Sequence, residues 1–390
     1  MPGKIKILVL FGTRPETIKL APVISELKKR QGNFAMRVVS SSQHTDLLTA
    51  FLDIFEIKPD YDLRVMTKNQ TPNQVCARVL HGLEEIFDCE KPDCVLVQGD
   101  TTTAFAGAFA AFNRKIKVGH VEAGLRSGNP DSPFPEEMNR RLISQMATFH
   151  FAATSRNRKN LRAENVDESK IFLTGNTVVD ALRFIAENSS PNRKTTELIE
   201  KTAGFKRILL TTHRRESFGA AMRENLIDLR QFIENHRDVC LIFPVHPNPN
   251  VRRATEEILA GRERIHLLEP LEYVDFVALM KSSWLIVSDS GGVQEESPSL
   301  GVPVLILREN TERPEAIEAG GARLVGINSL AEILEENYND TAWIDSVKSI
   351  ENPFGDGAAA QRIIEILERE FYQESQKNIF AAQTRRHVVF

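Results

Sequence analysis

Short unbroken apolar runs recur along the chain, separated by segments whose apolar residues return every three or four positions. Ile5–Phe11, Met36–Ser40, Cys94–Val97, Val118–Val121 and His150–Ala153 read as strands in the first half. Ile208–Thr212, Cys240–Val245, Ile265–Leu268, Trp284–Val287 and Val304–Leu307 do so in the second. Continuous runs suit strands buried on both faces, and therefore a parallel sheet covered on two sides. Between them, spacings such as Ile18, Ala21, Ile24 and Leu27 mark helices. Strand and helix alternate throughout, which predicts an α/β, doubly wound architecture. The polar stretch 187–206 interrupts the pattern and reads as a hinge with its flanking helix. Two Rossmann-like halves follow, 1–186 and 187–369, and the tail from Gln376 reads as helical at most.

A length of 390 residues agrees with two domains, and 42% hydrophobic with 26% charged residues is ordinary for a globular protein. A net charge of −4 argues against nucleic acid as partner, and no stretch approaches a membrane span. The apolar run at the N-terminus is too short for a signal-peptide core. The four cysteines form no Cys-x-x-Cys pair, so buried free thiols in a reducing cytoplasm are the plainer reading.

Ligands of open α/β sheets bind outside the carboxyl ends of the strands, and the unusual polar residues fall there. Ser290-Gly291-Gly292, between a strand and a short helix that Gly301 can end, leaves backbone N–H groups free for a phosphate. Glu296, one turn on, can reach back to a ribose. The spacing is neither Gly-x-Gly-x-x-Gly nor a P-loop. Arg14 and Lys19 follow the first strand, where the helix dipole disfavours cations unless an anion is bound. Arg313 opens a later helix and can add a bidentate donor. Asp100 reads as an active carboxylate or as a helix cap. Alternation puts His120 and Glu122 on one strand face. Glu137 suits a helix start, whereas Glu136, behind a proline, can point into a cleft. His213 stands between a hydroxyl and two arginines. A metal set of His120, Glu122, Glu136 and His213 lacks ligand spacing, so no metal is assigned.

Together, FGTRPETIK (from Phe11), QGDTTT (Gln98), GHVEAGLR (Gly119), PFPEEMNR (Pro133), TGNTVVDA (Thr174), HRRESFG (His213), PVHPNPNV (Pro244), DSGGVQEE (Asp289) and RENTERPE (Arg308), with Gln43-His44, resemble the non-hydrolysing UDP-N-acetylglucosamine 2-epimerases. The motifs run collinearly from residue 5 to about 370. The resemblance implies a glycosyltransferase-B-like fold with an interdomain cleft. It also implies a C-terminal helix, about 370–390, that returns to the first domain, and a homodimer. Carried over by position, Arg14, Lys19, Ser290, Gly291, Gly292 and Arg313 would hold the diphosphate and Glu296 the ribose. The Leu271 backbone and the Phe276 ring would hold uracil. Asp100, Glu122 and Glu136 would form the acid/base set, with His213 on the leaving phosphate. Gln43, Arg214 and His246 match an activator site for a second UDP-sugar. Asp46 stands where that pattern carries Gln, which leaves activation open.

The implied reaction needs no cofactor. Loss of UDP makes C1 oxocarbenium-like and acidifies C2, a carboxylate removes the C2 proton, and 2-acetamidoglucal adds UDP again after reprotonation on the other face. The rival readings are a glycosyltransferase, a hydrolysing epimerase, a nucleotide-sugar sensor without activity and a nicotinamide enzyme. The last lacks its glycine spacing.

Overall fold

In the computed structural model, which describes residues 3–41, 51–67, 70–212, 219–326 and 330–387 (side chains as far as 377), the apolar runs form strands and the periodic segments form helices. The chain divides into two compact units, residues 1–181 with 355–390 and residues 182–354. The division falls inside the helix Thr177–Asn188.

Unit 1 holds seven described strands: β1 Ile5–Phe11, β2 Phe34–Ser40, β3 Tyr61–Asp62, β4 Cys94–Gln98, β5 Lys117–Ala123, β6 Phe149–Ala152 and β7 Ile171–Leu173. They form one parallel sheet in the order β3-β2-β1-β4-β5-β6-β7. Strand β1 lies between β2 and β4, with Val9 opposite Val38 and Leu96. Leu8, Val9 and Leu10 are fully buried, as two covered faces require. The helix Thr102–Asn113 is built mainly of small residues and lies so close that a Cβ at Gly107 would run into Leu10. A last helix, Ala359–His387, belongs to the same unit. Asp180 caps it by accepting from Ala360 N at 2.8 Å and Ala359 N at 3.2 Å. Arg30, at the end of the helix Arg14–Lys29, pairs with Glu365 and Glu368 on it, and its Ile363, Ile364 and Leu367 are fully buried.

Unit 2 repeats the plan with β8 Lys206–Thr211, β9 Val239–Pro244, β10 Ile265–Leu268, β11 Leu285–Ser288, β12 Val304–Ile306 and β13 Ala322–Leu324. Their order is β10-β9-β8-β11-β12-β13, again parallel. Its core gathers Leu210, Leu229, Leu241, Phe243, Leu285 and Val287. Both sheets reverse their strand order beside the first strand, at β1/β4 and β8/β11. The ten predicted strands are present within two residues of their expected bounds. The edge strands β3, β7 and β13, at two or three residues each, are too short to carry a period. Among the described residues no helix is long and apolar enough to cross a membrane.

Candidate active site

At the reversal in unit 1, β1 and β4 lead into the turns Gly12–Arg14 and Gly99–Thr101. Thr13 caps the helix Arg14–Lys29, and Pro15 occupies its first turn, where a missing N–H costs nothing. The Glu16 carboxylate lies beneath both turns. Its Oε2 accepts from Gly12 N at 3.1 Å, Thr13 N at 2.7 Å and Thr13 Oγ1 at 2.8 Å, and its Oε1 accepts from Thr101 Oγ1 at 2.7 Å. Burial pushes its pKa up to about 7, while these donors pull it back. Arg14, the first helical residue, is half-buried.

Lys19, further along the same helix, forms a buried ion pair with Glu122. Glu122 also accepts from Gln98 Nε2 at 3.0 Å and Asn176 Nδ2 at 2.9 Å. Strict alternation fails here. Glu122 has φ 64°, and the β5–β6 register shifts between Val121 and Ala123. Such a bulge re-aims a side chain at the end of a strand. His120 is buried and its Nε2–H donates to Gly99 O at 2.8 Å. Burial, the leading cause, pushes its pKa down to about 3, so the imidazole stays neutral.

Asp100 leaves the sheet with its side chain 22% exposed. Arg140 Nε and Nη2 converge on its Oδ2 at 2.7 and 2.6 Å, and Asn139 Nδ2 donates to its carbonyl at 2.8 Å. Both partners lie on the helix Glu136–Met146. Glu137, fully buried, takes Ser127 N at 2.9 Å and also pairs with Arg140 and Arg141. Glu136 opens the helix and is half-buried. The helix-capping role near Asp100 falls instead to Thr101, which accepts from Ala104 N at 3.0 Å.

In unit 2, β11 leads into Ser290 and the helix Gly291–Leu300, which Gly301 ends at φ 64°. The side chain of Ser290, the N-cap residue, makes no cap hydrogen bond. Ser290 N donates to Ser288 Oγ at 3.0 Å. Arg313 crosses the helix start so closely that a Cβ at Gly291 would sit 2.5 Å from its Cζ. Arg313 Nε donates to Glu295 Oε1 at 2.6 Å, and Nη1 reaches Glu312 at 3.2 Å. Glu296 is buried and folds back along the helix, Oε1 lying 3.6 Å from where a Gly292 Cβ would be. Leu271 and Phe276 are half-buried, Leu271 just before the helix Tyr273–Lys281 and Phe276 on it. His246 follows β9 and its Nδ1 accepts from Asn248 N at 3.2 Å.

Of the expected residues, the structure brings Lys19 and Glu122 together, sets Asp100 on the neighbouring turn, and gathers Ser290, Gly291, Gly292, Glu296 and Arg313 at one helix end. His213, Arg214 and Gln43 lie outside the described residues. Glu16, Asn139, Arg140 and Asn176 were not singled out from sequence, although each lies inside a quoted motif. Among the described residues, no group of three His, Cys, Asp or Glu could hold a metal ion.

The sequence matches the model of a family described as UDP-N-acetylglucosamine 2-epimerase over residues 25–368. The UDP-N-acetylglucosamine 2-epimerase of Escherichia coli K12 is 45% identical over 369 residues, 93% of this chain and 98% of that protein. The Bacillus subtilis enzyme of the same name is 43% identical over 383 residues, 97% of this chain and 100% of that one. Among solved structures, UDP-GlcNAc 2-epimerase from Neisseria meningitidis bound to UDP-GlcNAc aligns with a TM-score of 0.87 at 42% identity, covering 94% of this chain and 100% of that chain. An S. aureus MnaA–UDP co-structure aligns at 0.88 and 40% identity, covering 94% and 97%.

Proposed function

The chain belongs to the UDP-N-acetylglucosamine 2-epimerase family, and from that premise we propose that it is a non-hydrolysing isomerase interconverting UDP-N-acetylglucosamine and UDP-N-acetylmannosamine. The observation that carries this reading is the division of the polar residues. One helix start is rich in glycine, takes no cap hydrogen bond from its Ser290 side chain and is flanked by a buried arginine, while the other reversal is lined with carboxylates.

In this mechanism the Gly291 and Gly292 N–H groups and the Ser290 hydroxyl offer donors to the diphosphate, the Ser290 N–H being held by Ser288 Oγ, and the helix dipole and Arg313 stabilise the negative charge that grows as the C1–O bond breaks. Arg14 and Lys19 add charge from unit 1, and Glu296 takes the ribose hydroxyls. Leu271 and Phe276 take the uracil. Departure of UDP leaves an oxocarbenium-like sugar, which Asp100, Glu122 and Glu136 favour electrostatically. One of these carboxylates removes the C2 proton, giving 2-acetamidoglucal and UDP. A proton then returns to the opposite face and UDP adds again. His213 is assigned to the leaving phosphate, and Gln43, Arg214 and His246 to an activating second UDP-sugar.

We place the enzyme in the cytoplasm, which suits its free thiols, and propose that it works as a homodimer. Phe109 and Phe112, exposed on the helix Thr102–Asn113, and Met138 and Leu142, on the helix packed against it, support self-association.

Proton NMR of the protein with UDP-N-acetylglucosamine in D₂O tests the reaction. UDP-N-acetylmannosamine carrying deuterium at C2 is expected. Accumulation of free N-acetylmannosamine and UDP would mean the hydrolysing reaction, and UDP release that requires an acceptor would mean a transferase.

A further inference from the structure

We propose that Glu16 is a positioning residue that ties the Arg14 turn to the Asp100 turn and so sets where the Asp100 carboxylate stands. The importance of Asp100 rests on the epimerase reading; the tie itself stands on geometry. Glu16 is 1% exposed, so it does not touch a substrate.

An acid at the third position of a helix ordinarily reaches back to the cap amide and stops there. Glu16 takes that amide, Thr13 N, and three donors more: Thr13 Oγ1, Gly12 N and, across the strand reversal, Thr101 Oγ1. Oε2 serves the β1 turn and Oε1 the β4 turn, so each carboxylate oxygen holds one loop. Thr101 is the residue next to Asp100. The remaining supports of that turn come from other directions. His120 holds the Gly99 carbonyl, Asn139 the Asp100 carbonyl and Arg140 the Asp100 carboxylate. Every residue of Gly99–Thr101 is therefore fixed by a side chain, and Glu16 supplies the link to β1. Space is short as well, since a Cβ at Gly12 would meet Thr103 Oγ1 at 2.6 Å. A buried carboxylate costs stability, as the raised pKa records. A cap alone needs no such burial, whereas a two-sided acceptor between two loops does.

The test compares Glu16→Ala, Glu16→Gln and Thr101→Val by hydrogen exchange and by turnover. Glu16→Ala is expected to speed amide exchange both in 12–17, where it frees the Gly12 and Thr13 amides, and across the tie in 97–105, and to lower kcat by about 10- to 100-fold, the scale of a small misplacement near the chemistry. KM should change far less. Glu16→Gln keeps most of the hydrogen bonds and should recover most of the rate. Glu16→Ala with Thr101→Val should lose, beyond Glu16→Ala alone, only the helix cap that Thr101 gives Ala104 N, and so less than the sum of the single losses, because both cut one tie. Unchanged exchange in 97–105, fully additive losses, or a fall in kcat/KM carried by KM would overturn the proposal. Should Glu16→Ala not fold, Thr101→Val cuts the tie from the other side and takes the same readouts. If the wild-type chain does not epimerise the sugar, the functional reading falls, and the exchange experiment, which needs no substrate, still decides the tie.

Discussion

The two strand-order reversals, β1/β4 in unit 1 and β8/β11 in unit 2, share a topology and differ in what fills them. In unit 1 the first helix start is already occupied by its own Glu16, and acids line the surroundings. In unit 2 the helix start carries glycines, no cap hydrogen bond from the Ser290 side chain, and Arg313 lying across it. A dipole end that is satisfied internally has little left for an anion, and one left open is ready for it. Topology thus says where ligands go, and the local donors and acceptors decide which charge is welcome.

The comparison breaks most sharply at Asp100. Asp100→Asn is expected to lower turnover by roughly 10²- to 10⁴-fold, the usual contribution of general acid–base catalysis, while calorimetry finds UDP affinity nearly unchanged. Normal turnover would remove Asp100 from the acid/base set. In unit 2 the pattern reverses. Arg313→Ala should weaken UDP binding by about 10- to 100-fold, as loss of a charge-assisted hydrogen bond implies, and unchanged affinity would show the phosphate contact to be misassigned. Gly291→Ala sharpens the same point, because the new methyl displaces a guanidinium that Glu295 pins in place. A roughly tenfold loss of UDP affinity is expected, about one hot contact, and retention of full affinity would mean that the Arg313 position does not matter.

The smallest effect is on stability. The folded-state pKa of Glu16 is raised to about 7 from an ordinary 4.5. Its proton is therefore held more tightly in the folded state. Its contribution to stability is fully present below pH 4.5, declines as pH rises towards 7, and is lost above that. Glu16→Gln should accordingly raise Tm more at pH 8 than at pH 5. An equal shift at both would indicate that the carboxylate is not protonated preferentially in the fold.

Much of this could be read from the chain. Unbroken apolar runs marked ten strands, since burial on both faces leaves no alternation to confuse, and Ser-Gly-Gly with the downstream glutamate marked the open helix end. Other features escaped for physical reasons. The edge strands are too short to show a period. The left-handed backbone at Glu122 contradicts alternation, and it falls on a glutamate rather than on a glycine, which would have announced it. Glu16 was not singled out, because its fourth partner, Thr101, is distant in sequence and close only after the sheet has formed. Arg140 was hidden in the same way, its partnership with Asp100 being a product of packing between a helix and a turn.

The final helix carries a consequence for how the molecule is made. Ile363, Ile364 and Leu367 are buried in the unit that residues 1–181 begin, yet they are synthesised after all of residues 182–354. Domains usually complete themselves in the order in which they leave the ribosome. Here unit 2 emerges whole while the earlier unit still lacks its last helix, so the half begun first is the half finished last.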